Sequence, residues 1–334
     1  MKKALMYFLS VFYLCNSAFC QSSGIQSTRT IELPKNIAWS QLIAGKNKCF
    51  VMGFEKTKAY LLDTRNNSRV AFSDIKRGKF LILSREKAYF APLGSVADNG
   101  PDENKISVYD LNGKYKGEKR VLYNGYNLRY FLTEKPDAFA CLAIDLDKYM
   151  SGKTNGNMEG GIFIEGNSHP LIRFTYPQAP PPTQIVFPVA AIRNKIYLAF
   201  ENKYNIDVYS KDGKKIGNIS NPGFKMEPYS KNEIELLQPM KRTTIKEGIT
   251  CPPVIKCLDI SKKGMVYVTR HPRPGAGKLF IDAFNELGSL AGTFQIKLEK
   301  GETVVDVCMM EKEYCILLHS EKANLYYVKG YTLN

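Results

Sequence analysis

Asn205-Ile206-Asp207-Val208-Tyr209-Ser210-Lys211-Asp212-Gly213-Lys214-Lys215-Ile216-Gly217-Asn218-Ile219 is the stretch that decides the fold. Ile206, Val208 and Tyr209 form a short β run, Asp212-Gly213 supplies a tight turn because glycine accepts φ > 0 without a steric cost, and Lys215 to Ile219 runs back. The phrase is a β-hairpin. It recurs at Ile106-Ser107-Val108-Tyr109-Asp110-Leu111-Asn112-Gly113-Lys114-Tyr115-Lys116-Gly117. It returns, more divergent, at Ile281-Asp282-Ala283-Phe284-Asn285-Glu286-Leu287-Gly288-Ser289-Leu290-Ala291-Gly292. Three copies of one hairpin imply a repeat architecture.

Working outward, the chain divides into units of four short antiparallel strands over about 40–72, 79–122, 129–174, 185–219, 254–294 and 303–333. In the first unit Asn66 stands where later copies place glycine, and in the third Gly166-Asn167 marks the turn. The sixth unit lacks a fourth strand, and Thr28 to Leu33, an alternating run closed by Pro34, is a spare one. The fold class expected is all-β: a six-bladed β-propeller whose last blade is closed by the N-terminal strand. Sustained helical periodicity is missing, although Asn232 to Leu237 suits a short helix.

Lys2 and Lys3 precede an apolar run from Ala4 to Leu14, and the chain then turns small and polar. Residues 1–20 therefore read as a signal peptide cut after Cys20, with 21–334 as the exported propeller, periplasmic or extracellular. Lipidation at Cys15 or Cys20 would need a small preceding residue, and Leu14 and Phe19 are large. No later stretch is apolar and long enough for a transmembrane helix. The net charge of +15 is spread among acidic residues, which describes a lysine-rich solvated surface better than a nucleic-acid groove. Six cysteines follow the leader, and Cys308 and Cys315 face each other across a hairpin turning at Glu311-Lys312. That pair is the expected disulfide; small buried core residues are the alternative for all six.

IDVYSKDGKKIG, ISVYDLNGKYKG and IDAFNELGSLAG resemble the outer hairpins of NHL/TolB-like six-bladed propellers, especially secreted bacterial ones. The resemblance spans the mature chain as a repeat pattern and implies a fold; such propellers host binding modules, lyases and lactonases alike.

With strands A to D counted outward from the axis, the A–B and C–D turns share one face and the B–C and D–A connections the other. The second set holds every long segment, so function is expected there. Tyr123, Tyr126, Arg129, Tyr149, Tyr176, Arg242, Arg270, His271 and Arg273 are its candidate ligand-binding residues, since Tyr and Arg combine flat contact area with directed donors. Pro180-Pro181-Pro182 reads as a stiff spacer. The hydrolase elbow and the HExxH motif are missing, and Gly275-Ala276-Gly277-Lys278 fails as a phosphate loop because it leads into a strand. The reading favoured is a non-catalytic module, without cofactor, binding a protein, peptide or glycan at the cell envelope. The alternative is a hydrolase, lactonase or lyase acting at the channel mouth with calcium or another divalent metal. Asp137, Asp145, Glu201 and Asn202 are its weak candidate ligands, by analogy with regucalcin-like lactonases.

Overall fold

In the computed structural model, described at residues 25, 27–44, 48–75, 79–84, 86–95, 105–123, 125–133, 138–153, 156–167, 169–177, 187–237, 251–310 and 313–333, the three copies of the hairpin phrase close alike. Asp110, Ser210 and Asn285 each donate their backbone N–H to a residue four positions on, Lys114, Lys214 and Ser289, while Gly113, Gly213 and Gly288 donate back to them. The glycines sit at φ 88°, 83° and 81°. A three-residue loop ending in a left-handed glycine thus replaces the two-residue turn expected from Asp-Gly. The Asp110 and Asn285 side chains hold the turn by accepting from the backbone N–H groups two and four residues on. In the first unit the left-handed residue is Asn67 (φ 57°), one position after the expected Asn66. Asn66 instead accepts the Ser68 N–H through its side chain.

The strands, in chain order, are β1 (Ser27–Glu32), then blade 1: β2 (Ala38–Ala44), β3 (Cys49–Glu55), β4 (Lys58–Asp63) and β5 (Arg69–Phe72). Blade 2 holds β6 (Lys79–Leu83), β7 (Lys87–Pro92), β9 (Lys105–Asp110) and β10 (Tyr115–Arg120), with the short β8 (Gly94–Ser95) leaving it after β7. Blade 3 is β11 (Tyr126–Leu132), β12 (Phe139–Ile144), β13 (Asn157–Ile164) and β14 (Ile172–Pro177). Blade 4 is β15 (Pro188–Ile192), β16 (Ile196–Phe200), β17 (Asn205–Tyr209) and β18 (Lys215–Ser220). Blade 5 is β19 (Ile255–Ile260), β20 (Val266–Arg270), β21 (Lys278–Phe284) and β22 (Leu290–Lys297). Blade 6 comprises β23 (Glu302–Met309), β24 (Tyr314–Ser320) and β25 (Leu325–Tyr331), and β1 completes it by pairing antiparallel with β25, Thr30 opposite Lys329. The ring is a six-bladed β-propeller closed by strand exchange. Blade 3 gains an unexpected innermost fifth strand, because β8 pairs with β11.

Each apolar cluster draws on two adjacent blades. Phe72 and Met52 of blade 1 pack with Leu81 and Phe90 of blade 2, whereas Ile82 and Tyr89, pointing to the other side of the same sheet, pack with Phe139 and Cys141 of blade 3. Alternation along a strand therefore buries both faces, each against a different neighbour. The inner strands are also stapled. Gln41 accepts the Leu81 N–H at 3.0 Å and donates to the Leu81 carbonyl at 2.9 Å, standing in for a piece of strand between blades 1 and 2.

Two helices sit in the connections. Asp145 caps α1 (Leu146–Met150) by accepting the Lys148 N–H, and α2 (Lys231–Leu237) starts at a Ser230/Glu233 capping box, matching the helix expected at 232–237. No helix among the described residues is long and apolar enough to cross a membrane. The segment read as a signal peptide, Pro180-Pro181-Pro182 and the Glu311-Lys312 turn lie outside the described residues.

Candidate functional site

The strand ends that carry the B–C and D–A connections frame two cavities. The first, of about 440 Å³, lies beside blade 5. Its walls come from 223–227 after β18, from 252–254 before β19, from the connection after β20, and from Lys278 and Phe280 on β21. Phe224, Met226, Pro252, Pro253, Val254 and Phe280 make it largely apolar, and Arg270, His271, Arg273, Lys225 and Lys278 make it basic.

These cations differ in what they have left to offer. Arg270 donates from Nε and Nη2 to the two oxygens of Asp282, each at 2.7 Å, and lies 5.0 Å from the Phe224 ring centroid and 5.3 Å from that of Phe280. Asp282 is fully buried and also accepts from Thr293 at 2.6 Å and from the Tyr204 hydroxyl. Every oxygen is satisfied, so this network builds the wall. Arg273 is committed too: it forms a two-pronged pair with Glu233 of α2 at 2.5 and 2.7 Å and donates to the Pro228 carbonyl at 2.8 Å. The Arg273 hydrogen bonds hold the Glu233 carboxyl down at about 2. His271 Nε2 lies 3.9 Å from Glu201 Oε1. Lys225 and Lys278 have no carboxylate partner among the described residues.

The second cavity, of about 590 Å³, occupies the axis where the inner strands of blades 1, 2, 3 and 6 converge. Trp39, Phe54, Phe80, Leu93 and Tyr326 line it, together with Arg129 and Asp306. Trp39 is 2 % exposed; it is placed by its Nε1–H bond to the Pro34 carbonyl and by Gly53, where any Cβ would collide with the indole. Asp306 accepts the Leu42 N–H at 2.7 Å, tying blade 6 to blade 1. Burial raises the carboxyl of Asp306 and pushes that of Asp259, on β19, up to about 6, with Arg129 pulling both down and the Asp306 charge adding to the rise at Asp259. Both residues are only partly exposed.

Of the residues singled out from sequence, Arg270, His271 and Arg273 meet in the loop cavity and Arg129 reaches the channel. Tyr123 stacks on Phe163 at 4.5 Å and Tyr126 on Phe187 at 6.4 Å. Tyr149 and Tyr176 are buried, the latter against Phe200, so neither offers a contact surface; apolar packing at the loop bases outweighs exposure of their hydroxyls. Arg242 and Asp137 lie outside the described residues. Asp145 is occupied as a helix cap, and the Glu201 carboxylate faces the Phe187 N–H and His271. Among the described residues no three His, Cys, Asp or Glu side chains are placed to hold a metal. Asp259, Asp306 and Trp39 escaped the sequence reading. For the two aspartates the signal was charge inside apolar inner strands, as in Ile255-Lys256-Cys257-Leu258-Asp259.

No protein-family model and no curated protein sequence matches the chain. Solved structures do. A member of the DUF4221 family from Bacteroides vulgatus superposes with a TM-score of 0.54 at 8% identity, covering 93% of this chain and 98% of that one. A chain of the mitotic checkpoint complex gives 0.52 at 9% identity over 94% and 93%. The Cps50 (Swd1) β-propeller domain of Myceliophteria thermophila gives 0.51 at 11% identity over 93% and 100%. At such identities the likeness is one of fold.

Proposed function

We propose that this chain is an exported propeller, NHL/TolB-like in its hairpin phrase, that binds a peptide segment of a protein at the cell envelope in the loop cavity and does not turn it over. One observation carries the reading: in a largely apolar cavity whose two arginines are already consumed, Lys225 and Lys278 have no carboxylate partner among the described residues. A segment pairing an apolar side chain with a nearby carboxylate complements that arrangement. The burial of Tyr149 and Tyr176 removes aromatic platforms a glycan would use, which favours peptide over glycan.

The test is a peptide array and a glycan array followed by titration calorimetry on the best hits. Acidic, apolar peptides are expected to bind, about tenfold more weakly to the Lys225→Glu/Lys278→Glu variant, and more weakly in high salt. Equal binding by that variant, or hits confined to glycans, overturns the proposal. A hydrolase at the channel mouth is the second reading, favoured by the raised carboxyls of Asp259 and Asp306 beside Arg129. Turnover of a lactone or ester panel that is lost in Asp306→Asn would establish it.

A further inference from the structure

One row of residues crosses all of blade 6 and continues into blade 1. Arg29 on β1 lies opposite Gly330 on β25, Gly330 opposite Cys315 on β24, and Cys315 opposite Cys308 on β23. Directly opposed residues share one face of a sheet. On that face Cys49 of β3 approaches from blade 1, its Sγ 3.7 Å from that of Cys308. All three thiols are free and at most 5 % exposed. Gly330 leaves the row open: a Cβ there would meet Glu313 Oε1 and the Arg29 side chain. Through this gap Arg29 reaches Glu313 at 2.9 and 2.7 Å and Cys315 Sγ at 3.8 Å.

We propose that Cys49 and Cys308 form a disulfide that locks blade 1 to blade 6, with Cys315 as the thiol through which it is made. The expected hairpin pair, Cys308–Cys315, is then the first product and not the last. In the open ring an external disulfide such as oxidised glutathione is attacked by the Cys315 thiolate, giving a mixed disulfide and one glutathione thiolate. Cys308 attacks the Cys315 sulfur and expels the second glutathione, so two thiols lose two protons and two electrons and one glutathione disulfide is reduced. When β1 docks, Cys49 gives up its proton to solvent and attacks the Cys308 sulfur. The Cys308–Cys315 bond breaks and its electron pair stays on Cys315, with no net redox change. Hydrogen bonds from Cys308 and Cys49, with the Arg29 guanidinium, hold the Cys315 thiol well below the ordinary cysteine range. Once Cys49 and Cys308 are joined their S–H groups are gone, and it is the Arg29 guanidinium, 3.8 Å from Cys315 Sγ, that stabilises the departing thiolate and gives exchange its direction. The loop so closed spans almost the whole ring, which is where cross-linking restrains the unfolded chain most.

An oxidising compartment is needed in the cell, so the role there rests on the export reading, whereas the chemistry can be tested without it. Trypsin cleavage after Lys48, Lys56, Lys300, Lys312 and Lys322 places the three thiols on separate peptides, 49–56, 301–312 and 313–322. The reduced full chain is refolded in a glutathione buffer, quenched with N-ethylmaleimide at intervals and mapped by mass spectrometry. Peptide 301–312 is expected to link first to 313–322 and finally to 49–56, with 313–322 carrying the label. Three labelled thiols throughout, or 301–312 still joined to 313–322 at the end, overturn the proposal. Cys315→Ser is expected to reach the same final link about tenfold more slowly, having lost the attacking thiolate. Arg29→Lys should keep the final link and Arg29→Ala should shift product back to Cys308–Cys315. If the link forms in vitro while protein from cells is fully reduced, the latch chemistry stands and the export reading fails.

Discussion

The two cavities open on the same face, yet their carboxyl groups are pushed in opposite directions. Glu233, beside the loop cavity, is held down at about 2 by Arg273, whereas Asp259, on the inner strand β19 within the reach of Arg129 and Asp306, is pushed up to about 6, chiefly by burial. Beside the loop cavity Glu233 and Asp282 each hold a two-pronged guanidinium partner, Arg273 and Arg270; on the inner strands Asp259 and Asp306 both feel Arg129, with Lys256 also acting on Asp306. The loop cavity therefore joins fixed walls to two lysines without a carboxylate partner among the described residues, and the inner strands hold two carboxyls whose charged forms burial disfavours.

The largest test of that contrast is the wall of the loop cavity. Asp282→Ala leaves Arg270 unpaired among three aromatic rings and should destabilise the protein by about 3–5 kcal/mol in denaturant unfolding. A loss below about 1 kcal/mol would show that the pair does not hold the wall. Next comes the channel lining: Gln41→Ala orphans the Leu81 N–H and carbonyl and should cost about 1–3 kcal/mol in the same assay. If solvent replaces both bonds, the channel is looser than its register implies.

The smallest effect is the dependence on pH, where the two sites should differ in sign. Glu233, depressed in the fold, contributes stability above the unfolded glutamate value near 4.5 that is lost as pH falls toward 2. Asp259, raised in the fold, binds its proton more tightly when native, so its contribution is present at low pH and fades as pH rises from about 4 through 6. Solvent access through the channel limits this to on the order of 1 kcal/mol. Melting curves of wild type and Asp259→Asn between pH 4 and 7 should diverge with the wild type losing more; parallel curves would remove Asp259 from the account.

Six units, the three hairpin copies and the N-terminal strand closing the last blade were legible in the residues, because each depends on neighbours within a few positions or on a count of strands. Strand alternation and a left-handed glycine are local physics. The face that carries the long connections was legible for a related reason, since turn lengths are counted along the chain. Burial of Tyr149 and Tyr176, the commitment of Arg270 to Asp282, the convergence of Asp259 and Asp306 on Arg129, and the approach of Cys49 to Cys308 were not. Most bring together groups far apart in sequence, and even for Arg270 and Asp282, on neighbouring strands, which side chain is consumed depends on through-space distances that no spacing encodes. Sequence alone determined the ring and the face that carries its long connections; the tertiary structure alone decided which charges on that face are already spent.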